Sequence, residues 1–228
     1  HEAVEFDDLW RKNLLHLSGG ATESESNMFL NIVNGFEEKA VGIHYGAEVE
    51  TQSKKTDQAV EFINVSEPVN AGVGMITYIG HSAPNYTELD IGLASNDLNG
   101  YNNKGKYTLL WINGCQATDV YNSYFRVRTR DWMFTKDRGS IGAFGHGSYG
   151  YTFTLTNYTN IFYQYAFQDS SYTHKSLGQV QQKVIEEFSE NREGSVYYSS
   201  HAVQFNYLGD PAIHYFPPKV ADYAINNK

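Results

Sequence analysis

Cysteine is almost absent from this chain: Cys115 is the single one in 228 residues. A lone cysteine excludes an internal disulfide framework and any metal site built on several thiolates. Three roles remain for it: an inert packed thiol, a partner for another chain, or a nucleophile. Basic charge is scarce as well. Lys and Arg number 17 against 26 Asp and Glu, a net charge of −9. No cluster of basic residues forms a face able to compensate phosphate charge, which argues against nucleic-acid partners. Long apolar runs are missing, so no segment reads as a membrane span. The acidic start HEAVEFDDLWRK lacks the form of a signal peptide, and the chain reads as an excised segment whose targeting signals lie outside it. No internal repeat and no linker rich in Pro, Gly and Ser divides it, so residues 1–228 are read as one domain, a fragment of a larger secreted protein.

What is present suits a packed α/β domain. Hydrophobic residues make up 41% of the chain, enough for one large core. Aromatics reach 15%, with 18 Tyr beside 20 Gly and many Asn, Ser and Thr, a composition more typical of secreted than of cytosolic proteins.

Short apolar runs alternate with helical patterns, and each run ends in glycine or a polar turn, the signature of βα units and a largely parallel sheet with helices on both faces. Leu14–Leu17 reads as the first strand. Ser26 reads as the N-cap of a helix over 27–39, whose apolar face carries Phe29, Ile32, Val33 and Phe36. A strand near 47–50, a helical segment around 55–62 and a loop carrying Pro68 follow. Three buried strands come next: GVGMITYIGHS (72–82), TLLWINGC (108–115) after a long Asn/Gly-rich connection (94–107), and SIGAFGHGSYG (140–150). Helices over 157–168 and 176–190, a strand at 203–208 and the turn Gly209-Asp210-Pro211-Ala212 complete the reading.

In open α/β sheets ligands bind outside the carboxyl ends of the strands. His81 and Cys115 both stand at such ends, and the residues between them suffice for a crossover between neighbouring strands. An imidazole beside the thiol would favour the thiolate, the reactive form. The amides of Ser82 and Cys115 are candidate oxyanion donors. The residues alone leave two readings open, because a Gly-Cys at a strand end is often a small packed hydrophobe and a histidine after glycine is often a turn residue.

The strings YIGHSAP (78–84), WINGCQATD (111–119) and NYLGDPAIHYF (206–216) resemble the His block, the Cys block and the terminal block of the gingipain family of cysteine peptidases, in the family's order and spacing. The resemblance implies a caspase-like α/β/α sandwich, with His81 as general base and Cys115 as nucleophile. Gly80, Gly114, Gln116, His146, Glu23 and Glu25 would then be the candidate cleft residues. The stretch DIGLASNDLNGYNNKGKYTLLWINGCQA is similar to the PorU-like branch, surface proteases of type IX secretion that remove C-terminal sorting domains. The family usually has Gly-His-Gly where this chain has Gly80-His81-Ser82, so the Ser82 side chain is placed to crowd the oxyanion amide. It also has an acidic residue after the first strand to orient the histidine. Alignment puts Gly20 there, with Glu23 and Glu25 downstream, and no third catalytic member is assigned.

Other residues carry less. Asp210, before a proline, reads as a turn former. Asp119 reads as a helix cap. His16, His44, His174, His201 and His214 show no zinc-ligand spacing, so no metal centre is expected, although Asn-rich and acidic loops suit structural calcium. The expected function is a cysteine endopeptidase or transpeptidase without cofactor, acting on polypeptides at the cell surface alongside type IX secretion components. The alternative is an inactive, peptide-binding pseudo-peptidase.

Overall fold

A computed structural model describes residues 9–121, 127–190 and 194–215; the acidic start as far as Asp8 and the last residue of the terminal block, Phe216, lie outside them. In chain order the main elements are β1 (Asn13–Ser18), α1 (Glu23–Ala40), β2 (Glu48–Ser53), β3 (Glu61–Phe62), α2 (Ser66–Ala71) and β4 (Met75–Ile79). Three short strands follow: β5 (Ser82–Ala83), β6 (Tyr86–Thr87) and β7 (Leu89–Asp90). The second half holds β8 (Thr108–Asn113), α3 (Arg128–Phe134), β9 (Ser140–His146), α4 (Thr152–Tyr163), α5 (Leu177–Glu190), α6 (Val196–Gln204) and β10 (Phe205–Leu208). Six strands form one sheet in the order β10-β9-β8-β4-β1-β2, parallel throughout except for β10 at its edge.

Strand alternation explains why the central runs read as continuously apolar. Successive side chains point to opposite faces, and here both faces are covered. Leu14, Met75, Ile79, Leu109 and Trp111 join one core with residues of α1, α4, α5 and α6. Leu15, Leu17, Ile76, Tyr78, Leu110 and Ile112 join the other with Val69 of α2 and Trp132 of α3. The result is the three-layer sandwich expected from the sequence.

Three local expectations need correction. The first helix begins at Glu23, because Thr22 rather than Ser26 is its N-cap: Thr22 Oγ1 accepts the Glu25 amide at 3.2 Å. Residues 55–62 are not helical. The Glu61 carboxylate accepts the amides of Lys55 and Thr56, both at 2.7 Å, and folds the stretch back on itself, while Glu61–Phe62 pairs with Leu89–Asp90. Pro68 lies in the first turn of α2, where its missing N–H costs no helical bond. The short helices α3 and α6 had no counterpart in the sequence reading.

Three imidazoles, those of His16, His146 and His201, are buried within this framework, and two of them are shifted strongly. His16 has its Nε2 2.9 Å from the Tyr163 hydroxyl, and burial lowers its pKa to about 4. Burial, reinforced by neighbouring His146, lowers that of His201 to about 3. In the unfolded chain such groups take up protons near pH 6.5, so below that pH the unfolded state binds more protons than the native one. Stability is therefore expected to fall as pH drops from about 6.5 towards the native values, by about 2 kcal/mol per histidine at pH 5. Urea unfolding midpoints at pH 7.5, 6 and 5 check this. A midpoint that stays constant would contradict the burial of both rings as neutral groups.

Candidate functional site

The register of two neighbouring strands builds the site. β4 and β8 run parallel with Ile79 opposite Asn113, and the Gly80 amide donates to the Asn113 carbonyl at 3.1 Å. The next residues on each strand, Gly80-His81 and Gly114-Cys115, thus leave the sheet side by side. Gly114 is required by this close approach: a Cβ there would lie 2.2 Å from Ser82 Oγ and 3.0 Å from the Gly80 carbonyl oxygen. Ser82 does not merely crowd the site. Its hydroxyl donates to the Cys115 carbonyl at 2.7 Å and ties the two strand ends together.

Cys115 is half-buried, with Sγ 3.8 Å from the Gly150 carbonyl. Gln116 follows it in a left-handed conformation at φ 56°, its amide donating to the Ser148 carbonyl at 2.8 Å. The loop after β9 is thereby held against the cysteine. Two exposed rings on that loop, Tyr149 and Tyr151, stand on either side of Gly150.

The His81 side chain is 57% exposed, and its Nε2 lies 3.3 Å from Glu25 Oε1. Glu25 is aimed by the start of α1, since its other oxygen accepts the Ala21 amide at 2.9 Å, a variant of the capping box. The Ala21 amide, partly offset by burial, and then the His81 imidazole hold the Glu25 carboxyl below its ordinary range. Glu25 was expected only as a candidate cleft residue; the structure brings it to the histidine. The signal was Thr22-x-x-Glu25, a capping pattern in the β1–α1 loop. Glu23, two residues earlier, is exposed.

His146 does not join the cleft. It is 2% exposed at the end of β9, its Nδ1 accepts the Ser148 amide at 3.2 Å, and its ring packs 5.2 Å from that of His201. Alternation along β9 turns it into the core. Asp210 forms the expected turn, its Oδ1 accepting the Ala212 amide at 2.9 Å. Asp119 does not cap α3, whose N-cap is Val127.

One further residue at the site was not expected from the sequence. Glu88, 5% exposed, accepts two backbone amides on Oε2, from Gly20 at 2.8 Å and from His81 at 3.1 Å. The string YTELD carries nothing that announces this contact.

A cysteine and a histidine follow adjacent parallel strands of an α/β sandwich, with a carboxylate against the imidazole, residue types that can carry thiol-based acyl transfer. The sequence profile of peptidase family C25 matches residues 1–216, and the chain belongs to that family of cysteine peptidases. Among solved structures it is similar to the Arg-specific cysteine proteinase gingipain R, with a TM-score of 0.71 and 14% identity over 92% of this chain and 49% of that one. The complex of Porphyromonas gingivalis RgpB pro- and mature domains matches with a TM-score of 0.70 and 12% identity over 93% of this chain and 50% of that one. A third structure, described only as a protease, gives 0.68 and 14% over 89% and 48%. The caspase-like fold expected from the sequence is the fold observed. The chain spans about half the length of these structures. No curated protein matches it.

Proposed function

We propose that this chain carries the catalytic centre of a gingipain-type cysteine peptidase, with Cys115 as nucleophile, His81 as general base and Glu25 orienting the imidazole. The observation that carries the reading is the register of β4 and β8, which sets the two strand-end residues beside each other, with Glu25 against His81. The Cys115 thiolate attacks the scissile carbonyl carbon, and the C–N bond breaks as the leaving amine takes the proton from the His81 imidazolium. Water, or a second amine in transpeptidation, gives a proton to His81, attacks the thioester and releases the thiol. The amides of Ser82 and Cys115 are the proposed oxyanion donors. The chemistry draws on groups of this chain and a polypeptide substrate, without an organic or redox cofactor. Any calcium would be structural.

The finer role we propose is that of a type IX secretion sortase, cleaving C-terminal sorting domains at the outer surface of the cell. Its support is the resemblance of residues 90–117 to the PorU-like branch. The architecture is compatible with residues 1–228 acting as one domain within a longer protein. Among the described residues no helix is long and apolar enough to cross a membrane.

A peptidyl acyloxymethyl ketone, which traps an attacking thiolate, tests the catalytic reading. Stoichiometric labelling of Cys115 that disappears in His81→Ala is expected. Tight peptide binding without labelling would instead assign the chain to the inactive, peptide-binding class.

Glu25→Gln separates orientation from proton transfer. The pair is partly solvent-screened, so its loss is expected to lower kcat roughly tenfold, far less than loss of the base. Steady-state turnover of a denatured protein substrate measures this. A loss as deep as that of His81→Ala would contradict an orienting role.

A further inference from the structure

The start of α1 brings Glu25 and the residues after β4 bring His81, yet these follow different strands, and glycine comes directly after each strand, Gly19-Gly20 after β1 and Gly80 after β4. Flexible glycine loops do not by themselves hold two side chains within hydrogen-bond distance. From the contacts of Glu88 we infer that its buried carboxylate is a positioning residue that locks the two loops in register and so sets the Glu25–His81 contact.

The geometry closes around one oxygen. Glu88 Oε2 accepts the Gly20 amide, next to Ala21 whose own amide anchors Glu25, and also the His81 amide. Gly20 is gripped at its other end too, where the buried Lys54 ammonium donates to its carbonyl at 3.0 Å. His81 is likewise held from both sides, because the Tyr78 hydroxyl donates to its carbonyl at 2.6 Å. The Glu88 amide in turn donates to that carbonyl at 3.2 Å. A carboxylate is suited to the task because it accepts without donating, and charge-assisted bonds to amides are the short, strong ones.

The glycines on these loops are required by the close approach of the Glu88 and Tyr78 side chains. A Cβ on Gly19 would lie 2.6 Å from Glu88 Oε2, and one on Gly80 would lie 2.4 Å from the Tyr78 hydroxyl. Both glycines keep the loops close enough for one side chain to span them. Glu88 touches no reacting atom; it acts through His81 and Glu25, and the inference rests on the role proposed above for that pair.

The test compares Glu88→Ala, which removes the oxygen that accepts both amides, with Glu88→Gln, which retains one amide-accepting oxygen in the same volume. Two readouts are taken from the protein: kcat and KM with a peptide substrate, and the NMR signals of the Gly20 and His81 amides. Glu88→Ala is expected to move both amide protons upfield and to lower kcat by about tenfold with KM within about twofold, the loss expected when the Glu25–His81 contact is lost. Glu88→Gln is expected to recover most of kcat. Unmoved amide signals in a folded Glu88→Ala protein, or an undiminished kcat, would overturn the inference. So would a Glu88→Gln protein no better than Glu88→Ala. If Cys115 in the unmutated protein showed no His81-dependent reactivity, the catalytic reading would fall. The amide signals would still decide the clamp, because they need no turnover.

Discussion

Replacing His81 with Ala is expected to lower kcat/KM by about 10²–10⁴, the range a positioned general base supplies. Folding should be unaffected, because more than half of the imidazole faces solvent and its main contacts are Glu25 and the edge of the Phe29 ring, 6.1 Å away between centroids. The two consequences separate catalysis from stability: turnover of a denatured protein substrate should collapse while the urea midpoint stays within experimental error. A variant that lost turnover together with stability would show that His81 holds the loops rather than the proton.

The largest stability effect is expected at Trp111. Its ring is fully buried, with Phe162, Phe144 and Phe205 at 4.1, 4.5 and 5.3 Å between centroids. Its Nε1 donates to Thr159 Oγ1 at 2.8 Å, tying the strand that carries Cys115 to α4. Trp111→Ala is expected to cost about 3–5 kcal/mol, through lost transfer energy and the cavity left behind. That is a large share of an ordinary domain's stability. Denaturant unfolding with an unchanged m-value and a lowered midpoint would establish it. A loss below about 1 kcal/mol would mean that the surrounding aromatics collapse into the gap.

How legible the molecule was in its sequence varied with the physical cause of each element. The four central strands were plain, because burial on both faces leaves continuous apolar runs bounded by glycine, as in Met75–Ile79 and Thr108–Asn113. His81 and Cys115 were legible for the same reason, standing at the ends of the clearest strands. Residues 55–62 misled because Lys55 to Val60 mimic a helical pattern, while Glu61 makes long-range and local bonds that no periodicity shows. The helix α6 went unnoticed because Val196, Tyr197 and Tyr198 favour strands, and packing of Tyr198 and His201 overrides that preference. The helix α3 is Arg-rich and buries Thr129 and Asp131 beside Trp132, so it shows no clean apolar stripe.

At the site, the carboxylate beside His81 was missed as a matter of register. Alignment placed Gly20 where an acid was expected, whereas the carboxylate that reaches the imidazole is Glu25, in the first turn of α1 and turned by its contact with Ala21. Ser82 was read as an obstruction because only the side chain's bulk is visible in sequence; its bond to Cys115 depends on the approach of two strands. Glu88 could not be found at all, since a carboxylate that grips backbone amides leaves no side-chain partner in the sequence to signal it.

The pH dependence of Cys115 alkylation by iodoacetamide, in the unmutated protein and in His81→Ala, tests the central claim most directly. A free thiol titrates near pH 8.5. Rapid alkylation well below pH 8 that is lost in His81→Ala is the expected result and would establish the working pair. Identical profiles in the two proteins, or an inert Cys115, would contradict it.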